Sequence, residues 1–345
     1  MTRATPFHAR AAAASRDNLW RLREGWTLAA SYGDPVAEAL APRLTVAMAD
    51  VSWRARTVIE GARAEEFLRR LLTRDPARLV PGQALKALWL GDRGGLRGAG
   101  ALVRMGRTSF RLIAASRDED WIARGAALFD VSTRADDEGG LAIVGPYASQ
   151  VMAAAGLDAS LEALSLKKMF WRGLDVAVSR LGEHGGYEIW CAADDAHIVW
   201  DRIAHAGRPF AIRPVGLDAM DILDLEAGVP RPGRDYAPAR DGFAAAPSPV
   251  ELGLEPLVDA DHAFNGRAAY RALPRTRTRV GVDLGETPAP HAPLARGGTV
   301  VGSTLGSAYS PALRRAIALA TVDTAAATPG TMLDRGRVAA LPFLP

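Results

Sequence analysis

The sequence predicts an α+β fold: two similar units of strand, helix and antiparallel strands, followed by a β-rich C-terminal module. Three observations carry this. Apolar runs of strand length outnumber the segments with helical periodicity. Turn signals such as Asp92-Arg93-Gly94-Gly95 join neighbouring runs as hairpins. Beyond about residue 278 only short strands remain, separated by Gly and Pro turns, the pattern of a small barrel or jelly roll. A chain of 345 residues has room for two or three domains and a sizeable core.

Residues 1–48 read as partly helical and amphipathic, with Trp20, Leu22, Trp26 and Leu28 in a segment interrupted by Gly25 and Gly33. Asp50-Val51-Ser52-Trp53 opens a strand expected to run on to residue 61. Residues 64–73 form a helix, because Phe67, Leu68, Leu71 and Leu72 share one face and Arg69 and Arg70 the other. Strands follow at 85–90, 101–105 and 109–114. The second unit repeats the theme. A strand at 141–146 enters a helix ending near 155, and strands follow at 175–180 and 187–192. A helix capped by Asp194 or Asp195 then runs to 205 and closes at Gly207, and a third helix spans 217–227. Residues 230–249 are rich in Pro, Gly and Ala and hold Arg231, Arg234, Asp235, Tyr236, Arg240 and Asp241. Long loops of this kind often carry function. The expected domains are 1–140, 141–260 with the loop 230–249, and 261–345.

Composition removes several classes of function. The 42 basic and 39 acidic residues are dispersed, with no basic block interleaved with aromatics, so nucleic-acid binding is not expected. A local basic patch for an anionic small molecule remains open. Cys191 is the single cysteine, which excludes an intrachain disulfide and suits a reducing compartment; its strand context reads as a buried structural thiol. No apolar run reaches the roughly 18 residues of a membrane span, and the N-terminus lacks the apolar core of a secretory signal. A cytoplasmic protein is expected. There is no phosphate loop, paired-cysteine site or HExxH, and the six histidines are scattered, so no metal is expected.

The recognisable motifs are of another kind. Asp50-Val51-Ser52, Leu71-Leu72-Thr73-Arg74-Asp75, Pro81-Gly82-Gln83 and Asp92-Arg93-Gly94-Gly95 stand in order through the first part. Val144-Gly145-Pro146, Ser179-Arg180-Leu181-Gly182 and Gly186-Tyr187-Glu188-Ile189-Trp190 follow, then Ile212-Arg213-Pro214-Val215-Gly216-Leu217 and Leu225-Glu226-Ala227-Gly228. Asp235-Tyr236, Ser248-Pro249-Val250-Glu251-Leu252-Gly253-Leu254, Phe264-Asn265-Gly266-Arg267 and Tyr309-Ser310-Pro311 complete the series. Each is weak alone; together, in this order over nearly the whole chain, they resemble the glycine-cleavage T-protein (aminomethyltransferase-like) superfamily, and in Asp235-Tyr236 with the block Ser248 to Leu254 its demethylase-like subgroup. The resemblance implies a three-domain ring with tetrahydrofolate in a central channel, where N5 accepts a methyl or methylene carbon from an amine, ether or thioether.

Four places depart from the superfamily pattern. After Gly95 the sequence reads Leu96-Arg97-Gly98-Ala99-Gly100 where the family carries an Asp that contacts pterin and amine. The stretch Gly182-Glu183-His184-Gly185-Gly186 is two residues short, and the family's pterin-binding Glu falls on His184, with Glu183 beside it. Two family arginines fall on Met220 and Asp224, and a family Asn on Ile113. A pterin edge presents paired N–H donors that a carboxylate answers together, so these changes touch ligand recognition directly.

The resemblance makes Tyr236 a candidate general acid, with His184 and Asp235 as its catalytic companions. Glu226, Tyr187, Arg97, Glu183, Asp224 and Tyr309 are candidates for holding cofactor or substrate. Arg97 would bind an anionic group; Tyr187 and Tyr309 would stack on a flat ring. Against these stand ordinary roles, namely core packing for the two tyrosines and surface exposure for Arg97 and His184. Two functions follow: a methyl or one-carbon transferase acting on a small-molecule O-, N- or S-methyl donor with tetrahydrofolate as acceptor, or a folate-independent catalyst or binding protein of specialised metabolism on the same scaffold. Neither requires a metal, a membrane or a nucleic acid.

Overall fold

The computed structural model describes residues 2–158, 160–240, 246–259 and 261–344. Its strands form four sheets. A small N-terminal sheet joins Arg3–Ala4, Trp20–Arg23 and Trp26–Ala29. The expectation of helix around Trp20–Leu28 is corrected here. Trp20, Leu22, Trp26 and Leu28 recur with period two, and Glu24-Gly25, with φ of 49° and 80°, supply a two-residue hairpin turn.

A five-stranded antiparallel sheet follows, in the order Ala84–Leu90, Leu96–Arg104, Ser109–Ala114, Ala55–Glu60 and Ser132–Ala135. The helix Ala64–Leu71 covers it with Phe67, Leu68 and Leu71, and a further helix, Glu119–Ala127, packs nearby. A six-stranded sheet combines Leu166–Trp171, Leu174–Ser179, Tyr187–Cys191, Gly139–Val144, Ala47–Asp50 and Arg213–Pro214. Ala47–Asp50 and Ala55–Glu60 are thus separate strands in different sheets rather than one continuous strand. The sheets also cross the expected division at residue 140, which lies inside Gly139–Val144. The helices Ala148–Ala155 and Ala196–Gly207 bury their apolar faces on the six-stranded sheet. No aspartate side chain caps the second of these, and Gly207 has φ −82°, so the chain continues into a short 3-10 turn instead of stopping there.

Small residues set the spacing between the two large sheets. Ala47, Ala49, Ala101, Ala142 and Ala177 line that layer with Val103 and Ile113. The C-terminal module is a six-stranded antiparallel sheet over 277–339. Its two edge strands approach each other, with the Asp334 N–H donating to the Ala295 carbonyl at 2.8 Å, so the sheet is nearly closed as a small barrel. The helix Leu217–Glu226 is the hub between the six-stranded sheet and this barrel. At its end Glu226 accepts from Arg43 Nε at 2.8 Å and from the Ser310 hydroxyl of the barrel. No helix among the described residues is long and apolar enough to cross a membrane.

Candidate active site

A cavity of about 450 Å³ lies where all four sheets converge. The N-terminal hairpin contributes Arg23, Leu28 and Ala29; the five-stranded sheet contributes Ala99, Ala101 and Ile113. Asp50, Val51 and Trp53 come from the six-stranded sheet and the turn after it. The hub helix offers Leu217, Met220 and Asp224, the loop after it Arg231 and Tyr236, and the barrel Arg279. Much of the wall is apolar with charged groups set into it, the composition of a small-molecule site.

Most of these charges are fixed by neighbours. Asp224 Oδ1 lies 2.7 Å from His184 Nε2. Burial pushes the Asp224 carboxyl upward, but the hydrogen bond and charge of His184, with Arg23 and Arg231 beyond, outweigh it and hold the group below its usual value. Its second oxygen and spare lone pairs remain for a ligand. Glu183, next in sequence to His184, takes the Lys86 ammonium at 2.5 Å. The short loop 182–186 therefore latches two walls at once, the five-stranded sheet through Glu183 and the hub helix through His184. Asp50 is buried by its surroundings, which raise its carboxyl pKa, while Thr5 and Ser52 hydroxyls donate to it at 2.6 Å each.

The loop after the hub helix is anchored by a bidentate pair, Arg231 Nε and Nη2 to Asp235 at 2.8 and 2.6 Å, both side chains buried. The barrel accommodates this pair through Gly306. A Cβ there would lie 2.2 Å from Asp235 Oδ1 and 2.6 Å from Arg231 Nη2, so any side chain would push the loop off the barrel. Arg231, Arg234 and Arg23 also converge on the buried carboxylate of Asp221. Tyr236, just beyond, packs among Leu88, Leu96, Leu225 and Leu305 and presents itself to the cavity. Burial, with Asp235 adding, pushes its phenol well above the usual range. Among the described residues no cluster of His, Cys, Asp and Glu comes together as a metal site.

Residues 12–262 match the family described as the GCVT N-terminal domain, and residues 277–337 match the glycine cleavage T-protein C-terminal barrel domain. The chain belongs to the glycine-cleavage T-protein family. An aminomethyltransferase from Frankia alni is 33% identical to it, over 93% of this chain and 92% of that protein. A trimethylamine-oxide aldolase from Ruegeria pomeroyi is 29% identical over 98% of this chain, which spans only 45% of that longer protein. The glycine cleavage system aminomethyltransferase T of Bartonella henselae has the same fold, with a TM-score of 0.88 over 100% of this chain and 98% of that one at 24% identity. The T-protein fold and membership of a family of transferase-type enzymes are therefore established for this chain.

Of the T-protein positions singled out from sequence, Tyr236, Glu183 and Asp224 line the cavity. His184 and Asp235 stand one step behind it, holding Asp224 and Arg231. The other four are elsewhere. Glu226 is buried between Arg43 and Ser310 as a clamp between domains. Tyr187 sits in the core of the six-stranded sheet, with Arg180 over its ring. Arg97 is buried against Asp118, with Nε–Oδ2 at 2.7 Å, and stacks on Trp121. Tyr309 is 53% exposed on the barrel. Asp241 lies outside the described residues.

The positions that depart from the T-protein pattern gather around the cavity. Ala99, Ile113, Gly182, Met220 and Asp224 all face the cavity. At Gly98 a Cβ would lie 2.1 Å from Trp89 Cζ2, so the indole occupies the space a side chain would need. Trp89 Nε1 in turn donates to Asp118 at 2.9 Å, the carboxylate that also holds Arg97. Five cavity residues escaped the sequence reading: Arg23, Asp50, Arg54, Lys86 and Arg279. Asp50 stood in a recognised motif; Arg23 lay in a segment read as helix; the others carried no local signal.

Proposed function

We propose that the chain is a tetrahydrofolate-dependent one-carbon transferase of the demethylating type, with Asp224 in place of the pterin-binding carboxylate absent from position 184. The observation that carries this is the His184–Asp224 contact at 2.7 Å. By the resemblance, the family has an acid at the first position and a base at the second. Here the signs are exchanged and the two groups touch. Two changes made independently would rarely leave groups of opposite sign in contact; a paired change does, and it turns a carboxylate toward the ligand.

The residues present suit a reduced pterin. Asp224 would accept from its N–H edge, Ala99, Ala101 and Ile113 offer a flat apolar wall, and about 450 Å³ falls within the roughly 300–1,000 Å³ common for small-molecule sites. When bound, tetrahydrofolate supplies N5 as acceptor of the one-carbon unit. Tyr236 serves the donor. Its phenol stays protonated through neutral and mildly alkaline pH, so it gives its proton best to a strongly basic leaving group. That favours N- and O-methyl donors whose leaving groups are amines or alkoxides over thiolates.

The test is turnover with tetrahydrofolate and a panel of N- and O-methyl compounds, with 5-methyltetrahydrofolate measured by mass spectrometry. Tyr236→Phe is expected to lower kcat by about 10²–10⁴-fold while leaving folate affinity unchanged. Turnover of a donor in rigorously folate-free protein would instead support the folate-independent reading.

A further inference from the structure

Five cationic side chains reach the cavity wall: Arg23, Arg54, Lys86, Arg231 and Arg279. Four have a carboxylate partner within the protein. Arg23 meets Asp221 at 3.1 Å, Lys86 meets Glu183 at 2.5 Å, Arg231 meets Asp235 at 2.6 Å, and Arg54 meets Glu188. Arg279 differs. It stands on the barrel strand Arg277–Leu284, half-buried, with no hydrogen bond or ion pair to any described residue. Its Nε is fully buried and unpartnered. Burial acts on the guanidinium, lowering it to about 10, with no acidic neighbour among the described residues to offset this. A desolvated cation without an anion is costly, and folded proteins pair or hydrogen-bond such groups. The apolar neighbours on this side of the cavity, Leu254 and Leu257, cannot do so.

We propose that Arg279 is the anion receptor of the cavity and receives a carboxylate of the bound ligand. The planar guanidinium matches a carboxylate bidentately. The proposal rests on the reading of this cavity as the ligand site, not on the identity of the ring bound there. The carboxylate has two possible sources, the glutamate tail of a folate or an amino-acid-like methyl donor, and the probes separate them.

The experiment measures dissociation constants by calorimetry for wild type, Arg279→Lys and Arg279→Gln. The probes are 4-aminobenzoylglutamate (tail without pterin), 6-methyltetrahydropterin (pterin without carboxylate) and N,N-dimethylglycine (a methylated amine with a carboxylate). Arg279→Gln is expected to weaken one or both carboxylate probes about tenfold or more, with Arg279→Lys intermediate and 6-methyltetrahydropterin within about twofold of wild type. Loss confined to aminobenzoylglutamate assigns Arg279 to the tail; loss confined to dimethylglycine assigns it to the donor. The unliganded Arg279→Gln protein should melt no lower than wild type, because it loses an unpaired cation rather than a contact. The inference fails if wild type binds neither carboxylate probe, if both bind Arg279→Gln as they bind wild type, or if the tetrahydropterin is weakened equally. Carboxylate binding through Arg279 without pterin binding would leave this inference standing and remove the folate reading.

Discussion

Asp224 and His184, far apart in sequence, hold each other at the cavity wall through one 2.7 Å contact. The carboxyl of Asp224 is pushed up by burial and pulled down further by His184, leaving it below its usual value. A folded-state value below the ordinary Asp value of about 3.9 means that this group stabilises the fold above that pH. The contribution is lost as pH falls through the lower folded value. His184→Ala removes the largest of the lowering influences and leaves Arg23 and Arg231 alone against burial, so the Asp224 carboxyl should titrate higher than in wild type, and the acid limit of stability should move to higher pH. Carboxyl ¹³C NMR against pH reads this directly; an Asp224 titrating no higher in the variant than in wild type would contradict the assignment. In the sequence the two residues register only as separate departures, because they are 40 positions apart. Arg97 misleads for a similar reason: nothing local announces that Asp118, 21 residues on, will bury it in a bidentate pair.

Elements were legible where their pattern is local. The helix Ala64–Leu71 and the strands from Ala84 to Ala114 follow from periodicity and turn chemistry. The hairpin Trp20–Ala29 carried its period of two openly, yet short strands beside real helices at His8–Ala14 and Pro35–Leu44 invite a helical reading. Leu166–Trp171 was missed because it is an edge strand whose middle faces solvent. The hairpin carrying Gly98 makes a prediction of its own. If Trp89 excludes a side chain there, Gly98→Ala should cost about 1–3 kcal/mol through overpacking, measured by urea denaturation. Unchanged stability would mean that the missing carboxylate has another cause than packing.

At the scale of the molecule, motif order across the chain identified the T-protein architecture, while the path of the sheets stayed hidden. Ala47–Asp50 leaves the N-terminal segment to pair with Gly139–Val144, a partnership about ninety residues long that no local signal encodes. The cavity is of the same kind, since each sheet brings one or two of its groups and only assembly makes them a site. Calorimetric titration of wild type and Asp224→Asn with tetrahydrofolate tests the account most directly. It predicts saturable one-to-one binding by wild type, weakened about 10–100-fold in Asp224→Asn by loss of a charge-assisted hydrogen-bond acceptor. No binding at millimolar folate, or equal affinity in the two proteins, would contradict it.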